Sequence, residues 1–140
     1  MTFKTILVAI DGSKGSERAT SVAIELAKRD GARLVLAHVD ERVLAKGGGD
    51  IRADEKEVQA AVRKQAEELS AEGIETRVEM ADVIAGGAGH VLANMAERVS
   101  ADLIVTGTRG HSPLGGLLLG SVTQRLLHFA KQPVLVVPSE

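Results

Sequence analysis

The sequence contains no cysteine, tryptophan or tyrosine, and only two phenylalanines and three prolines among its 140 residues. Without cysteine the chain can form neither a disulfide framework nor a thiolate active site, and nothing argues for an oxidising compartment. Long hydrophobic runs are also missing. The apolar stretch near the amino terminus is too short for a signal peptide, and no segment approaches the length of a membrane span. These absences favour a cytoplasmic protein.

An excess of charge of either sign is absent too. The 17 basic and 19 acidic residues give a formal net charge of -2, so neither nucleic acid nor an anionic membrane is expected as the main partner. The length and the 44% hydrophobic content suit one compact domain with a buried core. We therefore treat residues 1–140 as a single domain.

Short apolar segments alternate with amphipathic ones along the whole chain. The predicted strands cover residues 4–10, 33–39, 74–80, 103–106 and 133–138, and the predicted helices cover residues 13–30, 53–72, 90–99 and 121–131. Residues 40–50 show no periodicity and are expected to form a mobile loop. This alternation predicts an α/β fold, a doubly wound open parallel sheet of five strands with helices on both faces. The third strand alternates apolar and polar residues, so we expect it near a sheet edge.

Two loops are expected at the carboxyl edge of this sheet, where open α/β folds bind ligands. One is Asp11-Gly12-Ser13 after the first strand, and the other is the glycine-rich stretch 107–121 after the fourth. If the first and fourth strands are neighbours, the two loops face each other across a crevice. Asp11 could also serve only in an Asx-turn or as a helix cap.

The glycine-rich stretch leads into a predicted helix whose first turn carries Ser121 and Thr123. Exposed backbone N–H groups and a helix amino terminus together favour phosphate. The Walker motif GxxxxGK[ST] is absent, and position 122 is valine, not a cation. Two plainer interpretations remain open: the glycines could only allow a compact turn, and the hydroxyls could only cap the helix.

The spacing of the glycines is specific. Gly107-x2-Gly110-x9-Gly120-Ser121 resembles the G-x2-G-x9-G-[S/T] signature of the ATP-binding branch of the universal stress protein family. The stretches ILVAIDGS, ADLIVTGTRG and KQPVLVVP are similar to that family as well. The resemblance implies a strand order of 3-2-1-4-5, a homodimer, a role in the stress response and an ATP site in the crevice.

The resemblance also implies a role for individual residues. Ala9 and Val39 would border the adenine, and Asp11 would lie near the ribose and phosphates. The remaining implied contacts are Gly107, Arg109 and Gly110 for the ribose and first phosphates, and Gly120, Ser121, Val122 and Thr123 for the phosphate tail. Arg109 could instead be a solvated loop charge. Because Phe3 and Phe129 are the only Phe, Trp or Tyr side chains, we expect aliphatic walls and backbone hydrogen bonds, not ring stacking, to hold the base.

Several functions stay open at this point. The leading hypothesis is a regulatory protein that binds ATP, with or without Mg²⁺, and changes its shape or its partners. The alternatives are a slow ATPase or nucleotidyl-transfer enzyme, a module for AMP or cyclic AMP, and an interaction module that binds no nucleotide. The four histidines are scattered over different elements, so no metal site is expected. The apolar last strand, residues 133–138, is expected to pair with a second copy of the chain.

Overall fold

A computed structural model describes residues 1–42, 53–84, 86–108 and 119–139 of the chain. In chain order its elements are β1 (Thr5–Ala9), α1 (Lys14–Asp30), β2 (Arg33–Arg42), α2 (Ala53–Ala71), β3 (Thr76–Ile84), α3 (Ala88–Arg98), β4 (Leu103–Gly107), α4 (Ser121–Phe129) and β5 (Val134–Val137). Strands and helices alternate as the sequence predicts.

The strands form one parallel sheet in the order β3-β2-β1-β4-β5. This confirms the predicted doubly wound fold. It also confirms that the first and fourth strands are neighbours, since Ile6 of β1 pairs with Leu103 of β4. The direction of winding therefore changes between β1 and β4, which opens a crevice at their carboxyl ends. β3 lies at one edge, as its alternating pattern predicts.

Helices cover both faces of the sheet. Because side chains alternate between faces along a strand, each strand contributes to two cores. One core joins the sheet to α1 and α2 and includes Ile6, Val8, Leu34, Leu36, Ala19, Ala23, Val62 and Leu69. The other joins it to α3 and α4 and includes Leu7, Val35, Ile104, Leu92, Met95 and Leu126. None of the helices in the described ranges combines the length and apolar character that crossing a bilayer requires.

Several boundaries differ from the prediction, and β3 ends at Ile84, four residues beyond the predicted end. β2 continues to Arg42, paired with Ile84 of β3, so the expectation of a loop from residue 40 is wrong for its first three residues. Pairing with β3 satisfies the backbone there although the side chains show no apolar pattern. The rest of that predicted loop lies outside the described residues. Gly89, just before the predicted helix 90–99, lies inside α3, where an added Cβ would stand 2.8 Å from the Val122 carbonyl oxygen of α4.

Candidate functional site

A cavity of about 980 Å³ opens at the carboxyl ends of β1, β2 and β4. The structure brings eight of the ten residues predicted for the site to its walls, namely Ala9, Asp11, Val39, Gly107, Gly120, Ser121, Val122 and Thr123. The other two, Arg109 and Gly110, lie outside the described residues. The Asp11 turn and the two described ends of the glycine-rich stretch, at Gly107 and at Gly120-Ser121, therefore border one crevice.

The turn after β1 is held by a small hydrogen-bond network. Asp11 Oδ1 accepts the N–H of Ser13 at 2.9 Å, which makes an Asx-turn. Ser13 then caps α1, because its Oγ accepts the N–H of Ser16 at 3.2 Å. The hydroxyl of Ser16 in turn accepts the N–H of Asp11 at 3.3 Å. Asp11 thus forms an Asx-turn, which fixes its carboxylate in the cavity wall.

The first glycine of the motif meets α1 at close range. A Cβ added to Gly107 would stand 3.1 Å from both the carbonyl carbon and the carbonyl oxygen of Gly15. These are backbone atoms in the first turn of α1, so they cannot rotate away as a side chain would. The absence of a side chain at position 107 therefore has a reason within the protein itself.

The start of α4 is tied to the end of β4. Thr123, only 4% exposed, donates its hydroxyl hydrogen to the Gly107 carbonyl oxygen at 2.9 Å. Gly120 is the N-cap, at φ -74° and ψ 166°, and within the described residues no side chain makes a capping hydrogen bond there. The Thr123 hydroxyl therefore does not cap the helix but donates to β4, and Ser121 is exposed.

The helix amino termini around the cavity differ in charge. The first turns of α1 and α2 contain Glu17 and the pair Asp54 and Glu55, whereas those of α3 and α4 contain no acidic residue. A carboxylate in the first turn offsets the partial positive charge of a helix amino terminus. The positive end of α4 therefore suits an external anion, whereas the Glu41 carboxylate already lies at the amino end of α3, where it accepts the Gly86 N–H.

Carboxylates dominate the remainder of the cavity. Within the described ranges, the acidic lining residues are Asp11, Glu17, Asp40, Glu41, Asp54, Glu55 and Glu57, and no lysine or arginine accompanies them. In the same part of the chain no three histidine, aspartate or glutamate side chains come together as a metal site. The crevice thus has one end that suits an anion and one that repels it.

A buried pair of titratable side chains in the cavity wall was missed by sequence reasoning. His38 and Glu55 are 4% and 3% exposed. The His38 Nδ1 lies 2.6 Å from the Ile10 carbonyl oxygen, and its Nε2 lies 2.8 and 2.9 Å from the two carboxylate oxygens of Glu55. Gln59 donates to the same carboxylate at 2.6 Å. A signal was available, because Glu55 falls in helical phase with the buried Val62 of α2.

The two phenylalanine rings lie away from the cavity. Phe3 packs against the core on the α1 and α2 side, and Phe129, 44% exposed, stacks on His90 with ring centroids 4.4 Å apart. Neither ring is among the described lining residues. Whether a base in the crevice meets aliphatic side chains and backbone therefore stays a prediction.

The doubly wound sheet, with its crevice where the winding direction reverses, places the chain in a broad class of α/β proteins. Comparison with known sequences identifies the family within that class. Residues 2–138 match the model of the universal stress protein family, so the chain belongs to that family. A universal stress protein of Thermus aquaticus is 37% identical over 96% of this chain and 98% of its own length. A universal stress protein of Mycobacterium tuberculosis is 35% identical over 94% of this chain, which covers only 44% of that longer protein.

Solved structures show the same fold. A universal stress protein crystallised in complex with cAMP is 27% identical, has a TM-score of 0.69 and matches over 100% of both chains. The Archaeoglobus fulgidus universal stress protein in complex with dAMP is 22% identical, with a TM-score of 0.68 over 98% of this chain and 99% of that one. Both relatives bind an adenine nucleotide with one phosphate group.

Proposed function

We propose that this protein binds an adenine nucleotide in the crevice between β1, β2 and β4, and that it belongs to the ATP-binding branch of its family. One observation carries the proposal: the Asp11 turn, Val39 of β2, the end of β4 and the amino end of α4 line a single cavity of about 980 Å³. The glycine motif that points to this branch joins two of those walls, the end of β4 and the start of α4.

The base is proposed to lie against Val39 of β2, where the neighbouring β1 has ended. The Arg33 N–H donates to Lys4, before β1, and the Leu34 N–H donates to Glu75, before β3. Odd-numbered residues of β2 therefore direct their N–H and C=O groups toward β1. Since β1 ends at Ala9, the backbone of Val39 borders the cavity. A neighbouring N–H and C=O match the acceptor and donor on the Watson–Crick edge of adenine, and guanine presents the reverse order.

The phosphates are proposed to lie at the amino end of α4, where no carboxylate offsets the helix dipole. The acidic remainder of the cavity disfavours a bare polyphosphate. ATP would therefore enter with Mg²⁺ bound to its phosphates, with the Asp11 carboxylate as the nearby protein group. The same electrostatics favour AMP or cAMP as a second candidate, because one phosphate needs less positive charge to balance it.

Binding, not rapid turnover, is the proposed activity. Fast phosphoryl transfer needs a cation clamp and a group that orients the attacking nucleophile. In the described lining, the one histidine is His38, whose ring nitrogens both face protein oxygens. A regulatory role in the cytoplasm, exercised through nucleotide occupancy, is the proposal that follows.

We further propose a homodimer formed through β5. This strand is a sheet edge in the described fold, and Leu135 in it is 38% exposed. An open apolar edge strand tends to pair with another chain. Antiparallel pairing with a second copy would satisfy the exposed backbone groups.

The test is direct. Mass spectrometry of the undialysed purified protein should detect a released adenine nucleotide, and titration calorimetry should then rank ATP with Mg²⁺, AMP and cAMP. Gly120→Val should weaken each nucleotide more than adenosine, because the side chain would occupy the phosphate end. If no adenine nucleotide binds at millimolar concentration, the proposed function is wrong.

A further inference from the structure

We infer that His38 and Glu55 are positioning residues that hold the backbone of Val39 ready for the base. The inference rests on the proposed nucleotide site and deepens it. Neither side chain needs to touch the ligand. Their effect passes through the Ile10 carbonyl group, to which His38 is bonded.

The register of β1 and β2 predicts one hydrogen bond that does not form. The Arg33 N–H donates to the Lys4 oxygen, and farther along the Ile10 N–H donates to the Ala37 oxygen at 2.8 Å. In a parallel pair this pattern repeats every two residues. The next bond in the series would run from the Val39 N–H to the Ile10 oxygen, and no such bond occurs among the described residues.

The Ile10 oxygen is instead bonded to His38. A carbonyl oxygen can only accept, so the Nδ1 of His38, 2.6 Å away, must carry a hydrogen and donate it. Were the imidazole absent, the Ile10 oxygen would be the natural acceptor for the Val39 N–H. A carbonyl oxygen has two lone pairs, so we infer that the imidazole acts by orienting the Ile10 carbonyl group away from the Val39 N–H, which then stays available to the cavity.

Glu55 fixes the orientation of the His38 imidazole and keeps the hydrogen on its Nδ1. With Nδ1 protonated, one further proton lies between Nε2 and the Glu55 carboxylate, 2.8 Å apart. Gln59 donates to the carboxylate from the next turn of α2 and fixes its orientation. The ring can therefore neither rotate nor move its hydrogen from Nδ1 without breaking a buried hydrogen bond, which is costly.

The test replaces both partners together, since removing one alone would leave the other buried and unpaired. In the double variant His38→Phe with Glu55→Leu, the Ile10 oxygen should accept the Val39 N–H. Hydrogen exchange of the Val39 amide, followed by NMR without nucleotide, should slow by at least about tenfold, and the preference for ATP over GTP should fall by about tenfold. Wild-type Val39 should become protected only when ATP with Mg²⁺ is added.

Glu55→Gln is the matched control. The glutamine amide can donate to Nε2, so a neutral imidazole keeps its hydrogen on Nδ1. This variant should retain wild-type exchange at Val39 and the wild-type base preference. Should the double variant not fold, the exchange of the Val39 amide in the nucleotide-free wild type still decides, because protection of that amide there would overturn the inference.

The outcomes separate this inference from the proposed function. If the Val39 amide is already protected in the nucleotide-free wild type, or if the folded double variant keeps both the exchange rate and the base preference, the inference is overturned. If the exchange rates change as expected but the wild type binds no nucleotide, the positioning role stands and the proposed function fails.

Discussion

The two hydroxyls in the first turn of α4 should contribute differently to stability. Thr123 is buried and donates to the Gly107 oxygen at 2.9 Å, whereas Ser121 is exposed. Thr123→Val keeps the shape of the side chain but leaves that buried carbonyl without this donor. Leaving a buried acceptor unsatisfied costs roughly 1 to 3 kcal/mol.

The structure places the expected loss at the lower end of that range. The hydroxyl of Thr106 stands 3.4 Å from the same oxygen and remains as a weak donor. We therefore expect Thr123→Val to lower the free energy of unfolding by about 1 kcal/mol, and the melting temperature by about 4 °C. Ser121→Ala should change the free energy of unfolding by less than about 0.5 kcal/mol.

Urea unfolding of the ligand-free protein measures both variants. Titration with nucleotide then gives the complementary result, since Ser121→Ala should weaken ATP binding while leaving stability unchanged. Equal unfolding free energies for Thr123→Val and the wild type, at unchanged m-value, would refute the assigned role of the Thr123 hydrogen bond.

Three other predictions follow from single contacts. Gly107→Ala should destabilise the ligand-free protein by about 1 to 3 kcal/mol in urea unfolding, because its Cβ would press on the Gly15 backbone; wild-type stability would show that the approach relaxes freely. Val136→Lys should yield a monomer in light scattering, and an unchanged dimer would remove β5 from the interface. A hydrogen bond from Arg29 and one from a backbone N–H lower the pKa of Asp30 from 3.8 to about 2. Because the folded value is the lower one, Asp30 stabilises the fold above about pH 4, and this contribution is lost as the pH falls toward 2; Asp30→Asn should flatten stability over that window.

The sequence identifies the fold through local patterns. The periodicity of apolar residues predicts each helix and strand. The regular alternation of strands with helices predicts that the strands pair in parallel. The Asp11 turn and the Gly31 cap of α1, at φ 66°, are also visible locally, because each depends on residues only a few positions apart. The prediction of two facing loops needed one further rule, that parallel strands end together at the ligand-binding edge.

The sequence alone settled the alternation of strands and helices, the position of the crevice and most of its proposed lining. Only the tertiary structure showed that β2 continues to Arg42, that Gly107 meets the backbone of Gly15, and that His38 meets Glu55. Each of these is a contact between segments far apart in the chain, so no local period records it. A polar group that is buried needs a hydrogen-bond partner, and the tertiary fold decides which residue supplies that partner.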